Sequence, residues 1–265
     1  MLYNFDIAFE DYLIPARFRY PEGQKNLPCV LLLHGLFNTK EADGNMFEKL
    51  ANELLNNNIA ILQIDSYSCG ASLAPRSKCT VDMMAKEALY VFSYMQEIAV
   101  VDPLKCFILG HSMGGRLAAI IANSKIKGII LWNGALGDKY QTPYFLKANM
   151  DKILKETCLN GHTVYKNSVN EDVVVYQEFF ESLKKSSTDN IYNYQNPILF
   201  MIGEVDPTVD KHVSIDAYNK LDNPNKQLIE IKNANHTFNA KTNDLSALYE
   251  CIADVIHWLK TILNK

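Results

Sequence analysis

Residues 105–119 read Lys-Cys-Phe-Ile-Leu-Gly-His-Ser-Met-Gly-Gly-Arg-Leu-Ala-Ala. The first part of this stretch is mostly apolar and predicts a buried strand, while the last part is rich in leucine and alanine and predicts a helix. Between the two lies the pattern Gly110-x-Ser112-x-Gly114. A strand that turns sharply into a helix strains the residue at the turn, and the residues two positions away must be small to avoid collision. The stretch therefore predicts a tight strand–turn–helix unit with Ser112 at its apex.

The same spacing is that of a nucleophile elbow, in which a serine hydroxyl is lifted clear of the sheet. The first amides of the following helix point towards the same place and favour negative charge there. Small residues around a serine are common, so the pattern alone also fits a structural turn packed by glycines. The strand before Ser112 and the helix after it favour the catalytic interpretation.

Composition restricts the class of protein. The chain has 265 residues and a formal net charge of −4, which fits one large domain spanning residues 1–265. Its lysines are scattered, which argues against a nucleic-acid partner. The first residues lack the pattern of a signal peptide, and no apolar run is long enough to span a bilayer. We therefore expect a cytoplasmic protein with no membrane span.

The six cysteines form no CxxC pair, and no cysteine–histidine cluster has the spacing of a metal site. Cys29 and Cys106 fall in predicted buried strands, where cysteine packs as a small apolar residue. We predict six reduced thiols, as is usual in the cytosol. Neither a metal nor a cofactor is expected.

Strands alternate with helices along most of the chain. This alternation predicts an α/β fold with a mainly parallel sheet and right-handed crossovers. Two antiparallel strands that meet near Glu10 and Asp11 precede it. The predicted strands then cover residues 29–33, 59–64, the run before Gly110, 128–132, 197–202 and 226–231, and the predicted helices cover about 43–57, 80–98, 211–221 and 244–263, besides the one after Ser112.

The alternation breaks between residues 137 and 196. This stretch is too long for a plain connection, so it is predicted to be an insertion that caps the sheet. It leaves one strand at its carboxyl end and must return to begin another, which places it above the carboxyl ends of the strands. Helical pieces are expected near residues 146–154 and 176–184. The aromatic residues suit either an acyl pocket or simple packing on the sheet.

Three polar residues each follow a predicted strand: Ser112, Asp206 and His236. A serine hydroxyl needs a base to take its proton and a third group to orient that base. His236 is the candidate base and Asp206 its orienting carboxylate, in the chain order Ser, Asp, His. Asp210 is the nearest competitor to Asp206. His111 adjoins the serine, so its side chain is expected to point elsewhere.

Together these motifs resemble the α/β-hydrolase superfamily, over nearly the whole chain. Within it, the chain looks most like cinnamoyl and feruloyl esterases, monoacylglycerol-lipase-like enzymes and S33-type enzymes. One residue departs from the pattern: in Asp65-x-x-Ser68-x-Gly70-x-Ser72, Ser68 stands where the superfamily usually has a glycine. The matching motifs are His34-Gly35-Leu36-Phe37, Asp65-x-x-Ser68-x-Gly70-x-Ser72, Gly110-His111-Ser112-Met113-Gly114-Gly115, Gly203-x-x-Asp206-Pro207 and Asn235-His236-Thr237-Phe238.

The resemblance implies acyl transfer to Ser112 and then hydrolysis by a water that His236 activates. It implies an oxyanion hole made of the backbone amides of Leu36 and Met113. The expected partner is a small-molecule ester. The residues expected to bind it are the aromatic ones near the predicted site, namely Phe37, Tyr144, Phe145 and Tyr176.

Other functions stay open at this point. The same three residues serve a thioesterase or a serine aminopeptidase of the S33 type. An aminopeptidase needs carboxylates to hold the free amine of its substrate, and Glu171, Asp172, Glu178 and Glu181 are candidates, although a solvated helical face explains them better. A non-catalytic homologue that binds ligands in the same pocket is a further alternative. A homodimer is not excluded, and the sequence does not identify the substrate.

Overall fold

Eight strands form one central sheet in a computed structural model, which describes residues 1–137, 150–166 and 171–264. A separate hairpin consists of the strands called β7 and β8 below. The strands are β1 (Leu2–Phe9), β2 (Tyr12–Arg19), β3 (Leu27–Leu33), β4 (Ala60–Ile64), β5 (Val101–His111), β6 (Gly128–Trp132), β7 (His162–Lys166), β8 (Asp172–Tyr176), β9 (Ile198–Gly203) and β10 (Lys226–Ile231).

The order across the central sheet is β1-β2-β4-β3-β5-β6-β9-β10. β1 and β2 pair in the antiparallel sense, as do β2 and β4, and the remaining pairs in this sheet are parallel. The prediction of a mainly parallel α/β sheet is therefore confirmed. Because parallel strands end at one edge, the residues that follow β3, β5, β6, β9 and β10 come together there.

Helices connect the strands and cover both faces of the sheet. Thr80 caps the second helix, because its hydroxyl oxygen accepts a hydrogen bond from the Met83 amide at 3.1 Å. No helix in the described part of the chain has the length and apolar character needed to cross a membrane. The helices are α1 (Met46–Asn56), α2 (Val81–Gln96), α3 (Met113–Ile120), α4 (Met150–Asn160), α5 (Gln177–Lys185), α6 (Lys211–Lys220) and α7 (Ser246–Leu263).

The central strands are buried on both faces, which explains their continuous apolar runs. In β3, Leu31 and Leu33 belong to the core beneath α2 and α3, whereas Val30 and Leu32 belong to the core beneath α1 and α7. All four side chains are fully buried. This rigid double-sided core fixes the strand ends on which the candidate site is built.

The stretch from 137 to 196 contains more regular structure than the sequence suggested. The helix expected near residues 176–184 is confirmed as α5, and the piece expected at 146–154 overlaps α4, which extends to Asn160. The hairpin of β7 and β8 was not predicted. Its strands have five residues each, and in β8 two valines, Val173 and Val175, alternate with less buried positions. Such a short signal is easily missed.

A buried carboxylic acid lies between α2 and the first hairpin. The Glu87 side chain is fully buried, and its carboxylate accepts hydrogen bonds from the Tyr12 hydroxyl at 2.6 Å and the Tyr67 amide at 2.8 Å. Burial raises the pKa of Glu87 to about 7, although both hydrogen bonds oppose the shift. The ionised form of Glu87 is therefore costly for this fold.

We expect Glu87→Gln to remove a pH dependence of stability. A raised pKa contributes stability at low pH, which is lost as the pH rises from about 4.5 to about 7. A shift of this size corresponds to about 3 kcal/mol of unfolding free energy. Glutamine keeps an acceptor for Tyr67 and a donor for Tyr12 but carries no charge. Thermal unfolding measured across this pH range should show that the stability of Glu87→Gln relative to the wild type increases with pH. A stability difference that does not change with pH would contradict the raised pKa of Glu87.

Candidate active site

Ser112 lies between β5 and α3 in a strained backbone conformation, with φ of 55° and ψ of −115°. Non-glycine residues rarely adopt positive φ, and such strain concentrates at functional sites. The flanking glycines are required by close approach: a Cβ on Gly110 would overlap the carbonyl of Gly114, and one on Gly114 would overlap the carbonyl of Leu33. The predicted tight turn with Ser112 at its apex is thus what the chain forms.

Asp206 and His236 form a hydrogen-bonded pair at the same edge of the sheet. Nδ1 of His236 lies 2.7 Å from Oδ2 of Asp206 and donates its proton to it. The other carboxylate oxygen accepts the amides of Thr208 at 2.7 Å and Val209 at 3.0 Å. The Asp206 side chain is only 1% exposed and that of His236 14%. The acid is therefore fixed in place, and it fixes the imidazole with Nε2 as the nitrogen that remains for a reacting proton.

Asp210, the competing acid, has a different position. It caps α6, where its Oδ1 accepts the His212 amide at 2.9 Å and lies 2.9 Å from Nδ1 of the same residue. Both side chains of this pair are exposed. Of the two candidate acids, Asp206 is the one that contacts His236.

Two residues that sequence analysis did not select hold the loop of His236. The backbone carbonyl of His236 accepts hydrogen bonds from Nε2 of His111 and Nδ2 of Asn133, each at 2.9 Å. Oδ1 of Asn133 in turn accepts the Gly203 amide at 2.8 Å. The ends of β5, β6 and β9 are thereby tied to the histidine loop.

His111 adjoins Ser112 in sequence, yet its ring packs on that of His236, with 4.7 Å between centroids. Burial and, next, the charge that His236 can carry lower the pKa of His111 to about 4. His111 is therefore neutral at neutral pH. Since Nε2 carries the proton, Nδ1 is an acceptor, and it is buried without a hydrogen-bond partner in the described part of the chain. His111 can position His236 without adding a second positive charge.

We expect His111→Phe to lower kcat/KM for an ester about fivefold, because one hydrogen bond to the His236 loop contributes roughly 1 kcal/mol. Phenylalanine keeps an aromatic ring on His236 and removes the unpaired Nδ1. The measurement is hydrolysis of a nitrophenyl acyl ester, with circular dichroism to verify the fold. An unchanged kcat/KM in a folded variant would show that His111 does not position the histidine.

The loop after β3 lies beside Ser112. A Cβ added to Gly35 would lie 3.4 Å from Cβ of Ser112. His34 is buried and holds this loop, because its Nδ1 donates to the Gly35 carbonyl at 2.7 Å and its Nε2 accepts the Ser66 amide at 3.0 Å. Within the described part of the chain, the amides of Leu36 and Met113 donate to no acceptor. Two backbone donors near Ser112 are thus available to a ligand oxygen.

The predicted substrate-binding residues have different positions. Phe37 follows Leu36, and its ring lies 5.7 Å from that of Phe179 in α5. Tyr176 ends β8, and its ring lies 5.8 Å from that of His162, its partner across the hairpin. The two remaining residues, Tyr144 and Phe145, lie outside the described residues.

Arg116 of α3 ties both ends of the inserted stretch to the helix that follows Ser112. Its Nη1 donates to the carbonyls of Ala135 at 2.9 Å and Gly137 at 3.0 Å, and its Nη2 donates to the carbonyl of Ser186 at 2.9 Å. Further along, the hydroxyl of Thr188 donates to the Leu136 carbonyl at 2.9 Å. The stretch therefore starts and ends close to the base of the candidate site.

A parallel sheet with a strained serine between strand and helix, and an acid–histidine pair after later strands, defines the class of α/β hydrolases. The model of the family described as "Serine aminopeptidase, S33" matches residues 24–188. The chain belongs to this family, as the motif resemblance predicted.

Several solved structures have the same fold over nearly the whole chain. Est1E from Butyrivibrio proteoclasticus, solved with ferulic acid bound, is 17% identical, with 98% of this chain and 100% of that one covered and a TM-score of 0.78. A soluble variant of monoglyceride lipase from Saccharomyces cerevisiae, solved with a substrate analogue, is 15% identical, with 97% and 94% covered and a TM-score of 0.77. The monoacylglycerol lipase of Paleococcus ferrophilus is 19% identical, with 96% and 100% covered and a TM-score of 0.71. At these identities the likeness establishes the fold.

Proposed function

We propose that the protein is a serine hydrolase that cleaves carboxylic esters through Ser112, His236 and Asp206. The observation that carries the proposal is the 2.7 Å hydrogen bond between His236 and the buried Asp206, at the edge where the strained Ser112 also lies. A buried acid that orients an imidazole at the edge of the sheet where a partly buried serine also lies is the arrangement that activates a hydroxyl for attack on an acyl group.

In this mechanism Nε2 of His236 takes the Ser112 proton as Oγ attacks the ester carbonyl. The amides of Leu36 and Met113 donate to the oxyanion that forms. His236 then protonates the leaving alcohol, and an acyl-enzyme remains on Ser112. A water activated by His236 releases the acid. Asp206 stays ionised throughout and stabilises the imidazolium.

The inserted stretch is proposed to be a cap over this site. Arg116 anchors its two ends beside α3, and the amide of Val81 donates to the Ser182 hydroxyl of α5 at 2.9 Å. The contact between Phe37 and Phe179 supports an apolar wall next to the oxyanion loop. We propose that Phe37, Tyr176 and the aromatic residues at 144 and 145 contribute to substrate preference.

An ester is favoured over a peptide with a free amino terminus. The candidate carboxylates for an aminopeptidase are all exposed, and Oε1 of Glu181 accepts a hydrogen bond from its own helix neighbour Gln177 at 2.7 Å. Exposed carboxylates on a helix and at a strand end fit a solvated face. The name of the family therefore does not decide the substrate of this chain.

A panel of neutral 4-nitrophenyl esters with acetyl, butyryl, octanoyl and cinnamoyl groups tests the proposal, together with a butyryl thioester and an aminoacyl nitroanilide. We expect the esters to have the highest kcat/KM. A higher value for the aminoacyl nitroanilide would indicate an aminopeptidase, and a higher value for the thioester a thioesterase. No turnover of any of them by the folded protein would support the non-catalytic alternative.

A further inference from the structure

Arg76 has no carboxylate partner among the residues that the structure describes. It begins a 3-10 turn, Arg76–Lys78, just before α2. Its Nη2 donates to the Ser68 carbonyl at 2.8 Å, but its Nη1 is buried and donates to no acceptor in the described part of the chain. Within those residues the guanidinium also makes no ion pair with a carboxylate. It lies over the ring of Phe37, with 5.5 Å between Cζ and the ring centroid.

Two other arginines in the chain pair their charge with a carboxylate. Arg17 and Arg19 donate to the carboxylate of Glu48 at 2.7 and 2.8 Å. A buried donor without an acceptor costs free energy, and more so when it is charged. A cation over an aromatic face recovers only part of that cost. A buried polar group that lacks a hydrogen-bond partner in this way is expected at a functional site.

The Phe37 ring that the guanidinium contacts belongs to the loop of the proposed acyl site. Phe37 is the residue after Leu36, whose amide is a proposed oxyanion donor, and two residues after Gly35, which lies next to Ser112. Consecutive Cα atoms are about 3.8 Å apart, so the Cα atoms of Gly35 and Phe37 are at most about 8 Å apart. A substrate whose carbonyl is at Ser112 needs only a short chain of carbon atoms to reach the Phe37 ring and Arg76.

We propose that Arg76 is an anion-binding residue that selects esters with a free carboxylate a few carbons from the scissile carbonyl. This inference rests on the proposed function. The planar guanidinium presents parallel N–H donors that match a carboxylate. A substrate carboxylate would accept from Nη1 and pair with the charge of the guanidinium. Phe37 would hold both the guanidinium and the alkyl chain of the substrate.

The test compares the mono-4-nitrophenyl ester of adipic acid with the same ester methylated on its free carboxylate. We expect the wild-type protein to prefer the anionic ester, and Arg76→Gln to lower the ratio of the two kcat/KM values at least tenfold. Arg76→Lys should restore part of the ratio. Lys78→Gln is the matched control, because Lys78 is an exposed cation on the same turn, and it should leave the ratio unchanged.

A second ester, 4-acetoxybenzoate, carries its carboxylate on the leaving group. If only its hydrolysis depends on Arg76, the anion subsite serves the alcohol side, and the inference for the acyl side is overturned. Binding of free adipate, measured by calorimetry with adipamide as the neutral control, needs neither turnover nor a folded variant. Equal binding of both molecules by the wild-type protein, or an unchanged ratio in Arg76→Gln, would overturn the inference. Hydrolysis of the neutral ester without preference would overturn it while leaving the proposed function intact.

Discussion

Ser112→Ala is expected to abolish ester hydrolysis while the protein stays folded. The substitution removes the attacking oxygen but keeps the Cβ that the strained turn accommodates. Loss of the nucleophile in a serine triad lowers kcat by at least about 10⁴-fold. The measurement is hydrolysis of the best neutral ester of the panel, together with thermal unfolding of both proteins.

A matched control is Ser93→Ala, which changes a serine on the outer face of α2 whose hydroxyl donates to the Leu89 carbonyl. This variant should retain wild-type turnover. If Ser112→Ala also retained substantial turnover, the hydrolysis would arise from another group, and Ser112 would be only the residue at a strained turn.

The second large effect is expected for the acid. Asp206→Asn should lower kcat by about 10⁴-fold, because a neutral amide no longer holds the tautomer of His236 that accepts a proton at Nε2. Asp210→Asn should have little effect, since asparagine is as good a helix cap as aspartate. Each substitution replaces one carboxylate oxygen with an amide nitrogen, and the two positions are four residues apart.

Kinetics of both variants on one ester distinguish the two acids. A large loss for Asp210→Asn with a small one for Asp206→Asn would reverse the assignment. That outcome would require the loop after β9 to rearrange, because Asp206 is held by two backbone amides and by Nδ1 of His236. Thermal unfolding again separates a catalytic loss from a folding defect.

Local patterns were enough to predict the sheet and the order of the candidate residues. The apolar runs of β3, β5 and β9 belong to strands buried on both faces, so their composition is dictated by the core. The glycines around Ser112 are dictated by contacts within a few residues and with the adjacent strand. Such constraints act on short stretches of sequence and can therefore be recognised from the sequence alone.

Contacts between distant residues could not be predicted in the same way. His111 and Asn133 reach the carbonyl of His236 across more than 100 positions of the chain. Asn133 directly follows a predicted strand at the edge where the candidate residues gather, and this was a usable signal. His111 gave none, because adjacency to Ser112 in sequence suggested a side chain that points away. Arg76 has no carboxylate partner among the described residues, and sequence could not predict this because the fold decides which residues surround it.

The most direct test of the central claim is labelling by a fluorophosphonate probe, analysed by intact-protein mass spectrometry and peptide mapping. We expect one phosphonyl group per wild-type chain, on Ser112, with none on Ser112→Ala and slow labelling of Asp206→Asn. Labelling at another residue, or no labelling of a folded wild-type protein, would contradict the claim that Ser112 is an activated nucleophile.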